Sequence, residues 1–155
     1  MLTQSIDTIF EWLKVAGEQH GNTAKIPLAI SLVQEEFDEM KEAIQNKDKN
    51  ELLDSFADLM FTTCNVLFYS GITPQEANKK FEQVVASNYS KFCQTREEAQ
   101  EAVDAYANGT HFTKKGIRIP THVVETGNSV YPFVVKNLES GKLLKGLAYK
   151  EPNQF

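Results

Sequence analysis

The chain has 155 residues, of which 41% are hydrophobic, and a formal net charge of -5 from 16 Lys plus Arg against 21 Asp plus Glu. That length and apolar share predict a folded chain with a packed core and exclude disorder. The acidic balance excludes a nucleic acid polymer as partner, because such binding needs many phosphates neutralised, yet it admits a small anionic ligand if a bound cation inverts the local field.

The opening stretch MLTQSIDTIFEWLK carries acidic residues and no secretory apolar core, so it does not read as a signal peptide. No stretch approaches the ~20 apolar residues of a membrane span. Cys64 and Cys93 both fall in helical runs and read as buried free thiols in a reducing compartment. A cytoplasmic protein is expected.

Residues 3–20 place Ile6, Ile9, Phe10, Leu13 and Ala16 at helical spacing, and Gly21 and Asn22 break the pattern. Pro27 opens a second helix as its first residue. That helix is expected to run to Asn46 with Ile30, Val33, Phe37, Met40 and Ile44 on its inner face. Asp48 and Glu51 resemble a capping box ahead of a third, largely apolar helix that stops at Ser70–Gly71. Thr73-Pro74-Gln75-Glu76 starts a fourth helix to about Phe92, and Thr95-Arg96-Glu97-Glu98 starts a short fifth one ending at Gly109. Ile117–Val124, Val130–Val135 and Leu143–Tyr149 read as short strands around turns at Asn128 and Gly141. The fold class is therefore mainly α: a helical core over 1–110, with a small antiparallel β extension over 111–155 packed on the same domain.

The chemistry concentrates in two helices. Glu35, Glu36 and Glu39 lie three and four residues apart on the second, and Asp54 and Asp58 lie one turn apart on the third. Asn65 continues that face two turns further on. A short loop makes the two helices antiparallel, so their acidic faces can meet. Glu36 falls beside the apolar stripe, and Asp54 and Asp58 interrupt Leu, Phe and Met. Acids near a core repel one another and are costly unless paired or bound to metal. A hard divalent ion, magnesium with manganese as a substitute, would resolve the conflict through oxygen ligands. A solvated acidic face is the plainer alternative. Phe10 and Trp12 read as core. His20, His111 and His122 show no metal-ligand spacing, and Gly109 and Gly116 form no phosphate loop.

The segment Glu35–Asn65 resembles the all-α nucleoside triphosphate pyrophosphohydrolase superfamily of the MazG type. Its Glu-Glu-x-x-Glu element falls on Glu35, Glu36 and Glu39, its final aspartate on Asp58, and its downstream asparagine on Asn65. The family's Glu three before that aspartate falls on Ser55, so Asp54 is expected to take its place. Phe81–Lys91 is similar to the Glu-Val-x-x-Ser-Asn-Met-Ser-Lys signature of the phosphoribosyl-ATP-pyrophosphohydrolase-like branch, with Tyr89 where methionine is usual. Gly141-Lys142-Leu143-Leu144-Lys145-Gly146 resembles that branch's tail.

The resemblance implies magnesium-dependent hydrolysis of a nucleoside triphosphate to monophosphate and pyrophosphate, and a homodimer or homotetramer. Glu36, Glu39, Asp54 and Asp58 are the expected metal ligands, and Glu35, Glu36 and Asp58 the expected catalytic acids, one of the glutamates orienting water. Asn65, Asn88, Lys91, Lys142 and Lys145 are the expected substrate contacts. Their plainer roles are helix-end capping for Asn88 and strand-edge protection for Lys142 and Lys145. Phosphoribosyl-ATP as substrate ranks lower, because those enzymes look shorter and lack the β tail. A non-catalytic metal- or nucleotide-binding helical module is the other alternative.

Overall fold

A computed structural model describes residues 2–155, with side chains from Ile6 onward. Among them, α1 (Leu2–Val15), α2 (Ile26–Asn46), α3 (Lys49–Tyr69), α4 (Pro74–Tyr89) and α5 (Arg96–Asn108) precede the strands β1 (Thr121–Glu125) and β2 (Phe133–Asn137). The mainly helical expectation holds, with the β structure last in the chain. The chain divides into two compact units, Met1–Lys79 and Lys80–Phe155, with α4 running across the division.

In the first unit, α2 and α3 form a hairpin. Lys47 takes a left-handed conformation (φ 56°) and caps α2 through its N–H to the Ala43 and Ile44 carbonyls. Asp48 immediately caps α3, accepting from the Asn50 and Glu51 amides at 3.0 and 3.1 Å. Such a cap contributes about 1 kcal/mol. The turn leaves no slack, so the helices lie antiparallel. Ala29, Ala43 and Ser55 at their seam are each 1% exposed. Small residues let the two backbones approach closely.

That close approach moves the expected inner face of α2. Ile30, Phe37 and Ile44 are exposed, Phe37 at 47%, as are Leu53 and Phe56 of α3. They flank the seam instead of filling it. The core is built where Ile6, Phe10 and Leu13 of α1 meet Ala29 of α2 and Cys64, Phe68 and Tyr69 of α3. Phe10 and Phe68 meet edge to face at 5.3 Å, as aromatic quadrupoles prefer. Trp12, expected in the core, is exposed and touches Phe61 edge-on at 5.0 Å. Helix α1 stops at Val15, short of residue 20, because Gly17 (φ 81°) turns the chain and Glu18 N–H closes on the Leu13 carbonyl at 2.9 Å.

In the second unit, Thr95 and Glu98 form a reciprocal capping box at the start of α5. Ala99, Ala102 and Tyr106 of α5 pack on Val135 and Cys93 beneath the two-stranded sheet, in which Val123 pairs with Val135. His111 lies flat on Tyr106 with ring centroids 4.0 Å apart. Both cysteines are free and buried.

The expected third strand at 143–149 does not form. Leu143 makes one isolated bridge to Lys136, and Leu144 N–H bonds the Val135 carbonyl at 2.8 Å. Side chains then take over from the ladder. Lys145 Nζ donates to Glu151 at 2.8 Å and sits over the Tyr149 ring at 4.1 Å. Ser87 Oγ lies 2.9 Å from both the Tyr149 hydroxyl and the Lys150 carbonyl. Lys150 N–H donates to Ser90 Oγ at 3.0 Å. The tail is thus latched to the end of α4, which stops at Tyr89 and not at Phe92.

Gly146 is held at this latch by space. A methyl group there would sit 3.0 Å from Cys93 Sγ, itself packed among Ala99, Ala102 and Val135. Gly146→Ala is expected to cost about 1–3 kcal/mol by overpacking. Combining it with Cys93→Ala should recover part of that loss, and chemical denaturation of the two variants measures both effects.

Candidate functional site

The 3-4-3-4 spacing of Ser55, Asp58, Thr62, Asn65 and Tyr69 puts one stripe of α3 along the seam with α2. Ser55, Thr62, Asn65 and Tyr69 are buried. Two of the hydroxyls are satisfied within the helix. Ser55 donates to the Glu51 carbonyl at 2.8 Å and Thr62 to the Asp58 carbonyl at 2.9 Å. Asn65 is not: its Oδ1 is buried without a hydrogen-bond partner. Glu36 of α2 is in the same condition, with Oε2 buried and unpartnered. An unpaired buried polar atom costs on the order of 1–3 kcal/mol, so two along one seam leave an unmet demand that a ligand, an ion or water could satisfy.

The electrostatics agree. The Glu36 carboxyl is pushed above its ordinary range, by burial first and then by the carboxylates of Glu39, Asp58 and Glu35, with Glu39 near enough to share a proton. No lysine or arginine contributes to that shift. This is the desolvation and like-charge case, in which a proton or a cation must compensate. The structure therefore brings Glu35, Glu36, Glu39 and Asp58 to one locality.

Asp54 is exposed and is not among the carboxylates acting on Glu36. One residue along a helix is a rotation of roughly 100°, so the step from Ser55 to Asp54 turns the side chain off the seam. Among the described residues, no three His, Cys, Asp or Glu side chains are arranged to hold a metal ion. The expected four-acid cradle is not closed. The donor set around Glu36 is nevertheless all oxygen and short of positive charge, which suits a hard divalent ion.

The remaining expected residues lie in the second unit. Asn88 and Lys91 are joined, Lys91 Nζ donating to Asn88 Oδ1 at 2.6 Å, while Asn88 Nδ2 donates to the Val84 carbonyl at 2.9 Å. Together with Val85, Tyr89, Phe92 and Leu143 they line a cavity of about 360 Å³. Lys145 is committed to Glu151, whose carboxylate it holds below the ordinary range. Lys142 is exposed beside the turn at Gly141.

The Ser-Asn-Tyr-Ser-Lys run therefore divides by chemistry: Ser87 and Ser90 bind the tail, and Asn88 and Lys91 face a cavity. Sequence reasoning missed the aromatic stack beside that cavity. Tyr89 stacks on Tyr131 at 4.8 Å, and Phe92 lies 5.3 Å from Tyr131. No spacing signal links positions 89 and 131, since the sheet brings them together.

A family model described as phosphoribosyl-ATP pyrophosphohydrolase matches residues 18–88. That match supports assignment of the stretch to the all-α nucleoside triphosphate pyrophosphohydrolase superfamily. It contains the whole α2–α3 hairpin, and with it the acidic seam, and ends at Asn88 of α4. No curated protein and no solved structure matches the chain. Among the described residues, no helix is long and apolar enough to cross a membrane.

The acidic seam has a pH signature. Because the folded Glu36 pKa lies above the unfolded one, its negative charge destabilises the fold at neutral pH. The penalty fades as pH falls through the folded pKa toward 4.5. Glu36→Gln should therefore raise Tm of the metal-free protein at pH 7, by on the order of 2 °C. The gain should vanish near pH 4, and thermal melts across that range check the sign.

Proposed function

We propose that the chain hydrolyses the bond between the α- and β-phosphates of a nucleoside triphosphate group, releasing pyrophosphate and leaving a monophosphate. The observation that carries this reading is the buried, unpartnered Glu36 oxygen in a seam of like charges. Family membership supplies the reaction class. Phosphoribosyl-ATP is the substrate named in the description of the matched family. It therefore ranks above unmodified nucleotides, which reverses the order expected from the sequence.

Magnesium, or manganese in its place, would be held by Glu36, Glu39 and Asp58, and when bound supplies charge neutralisation to the triphosphate. The other steps belong to the chain. Glu35, exposed and adjacent to Glu36 on α2, is positioned to take the proton of the attacking water. The water oxygen bonds to phosphorus, the bridging P–O bond breaks, and pyrophosphate leaves with the electron pair. Asn65 offers only an acceptor at its unpartnered Oδ1, which fits a ribose hydroxyl or a base N–H and not a phosphate oxygen. Asp54 enters as an outer contact, not a ligand.

The exposed stripe of Phe37, Ile44, Leu53 and Phe56 supports assembly as a homodimer or homotetramer. A Phe37→Glu, Phe56→Glu double variant is expected to run at lower mass in light scattering than the parent.

The non-catalytic alternative is favoured by one finding, the absence of a ready three-acid metal group among the described residues. Product analysis separates the readings. The protein with magnesium and phosphoribosyl-ATP, or a panel of triphosphates, should release pyrophosphate. Asp58→Ala should lower kcat on the order of 10²–10³-fold, and Asp54→Ala far less. Release of orthophosphate, or nucleotide binding without turnover, would exclude the hydrolytic reading.

A further inference from the structure

The cavity of the second unit has a chemistry of its own. Its walls are largely apolar, from Val85, Phe92 and Leu143, with Tyr89 among them. Tyr89 is braced by Tyr131, ring on ring at an interplanar angle of 29°, and is still 50% exposed. An aromatic ring held by a second ring while half-open to solvent has given up its freedom without using its surface. That is the usual condition of a stacking platform.

The rim is equally one-sided. Asn88 Oδ1 is already occupied by Lys91, and one Asn88 N–H is occupied by the Val84 carbonyl. What remains is one amide N–H, the two unused ammonium protons of Lys91 and a second lone pair on Asn88 Oδ1. Donors outnumber acceptors on this pair, and the ammonium carries a full positive charge. A ligand that fits must present a flat π-face to the wall and acceptors or an anion to the rim. The cavity volume, about 360 Å³, is of the size that takes small cofactors and nucleotides.

We propose that this cavity binds a nucleoside monophosphate, its base stacked on Tyr89 and its phosphate on Lys91 and Asn88. The site lies wholly in residues 80–155 and needs no divalent ion. It stands apart from the hydrolytic reading of the α2–α3 seam. The resemblance to known families singles out Asn88 and Lys91 but assigns nothing to Phe92, Leu143 or Tyr131. At position 89 this chain departs from the usual methionine. The departure supplies the platform: methionine packs against rings but has no π-face to stack on a base.

The test uses the full chain without metal, titrated with AMP and with ribose 5-phosphate, and followed by calorimetry and by the methyl signals of Val85 and Leu143. AMP should bind at least about ten-fold more tightly than ribose 5-phosphate. Tyr89→Met should remove that advantage and leave ribose 5-phosphate unchanged, since methionine preserves the packing. Lys91→Gln should weaken both ligands. Asp58→Ala should bind AMP like the parent, so loss of hydrolysis does not touch this result. Equal affinity for the two ligands, no effect of Tyr89→Met, or ligand shifts confined to α2 and α3 would each overturn the proposal.

Discussion

The closeness of α2 and α3 is the constraint from which the rest of the first unit follows. Ala29, Ala43 and Ser55, small residues of the two helices, are almost fully buried. Where large side chains cannot fill a seam, polar ones with helical partners can, as Ser55 and Thr62 do by bonding back to their own helix. Those internal bonds remove the cost of burying the hydroxyls. They cannot remove the cost at Glu36 and Asn65, whose free oxygens point where no partner exists. A natural chain tolerates such atoms where binding later compensates them, because stability and function make opposite demands on the same group. The seam is thus stable in its small residues and unsatisfied at Glu36 and Asn65.

The serine at position 55 belongs to this account. A glutamate at that place on the helix would enter the tightest part of the seam, where serine is 1% exposed. Serine there leaves three carboxylates acting on Glu36, those of Glu39, Asp58 and Glu35, while Asp54 is exposed.

The capped helix boundaries were legible because their signals are local, while the ends of α1 and α4 fell short of expectation. The Asp48 cap, the Thr95–Glu98 box and the breaks at Gly71 and Gly109 each depend on a few consecutive residues, and each stands where the sequence put it. The acidic locality was legible for the same reason, since spacing of three and four fixes a helical face. Which apolar face is buried was not. Ile30, Phe37 and Ile44 have the right period and the wrong azimuth, and the inward positions lie one residue earlier, at Ala29, Glu36 and Ala43. The missing third strand failed differently: Leu143–Tyr149 has strand composition, but its partners are Ser87, Ser90 and Glu151, and no local pattern reports them.

The latch explains why two separate sequence signatures occur together. The serines of the Ser-Asn-Tyr-Ser-Lys run hold Tyr149 and Lys150, a few residues beyond the Gly-Lys-Leu-Leu-Lys-Gly run. Gly146 is kept small by Cys93, and Lys145 is anchored by Glu151. Leu143 of the same run then reaches the wall of the cavity that Asn88 and Lys91 share. One signature supplies the donors and the other supplies the floor beneath them, with the serines tying the two together. Of the residues expected as substrate contacts, Asn88 and Lys91 face this cavity, Lys145 holds the tail, and Asn65 lies on α3.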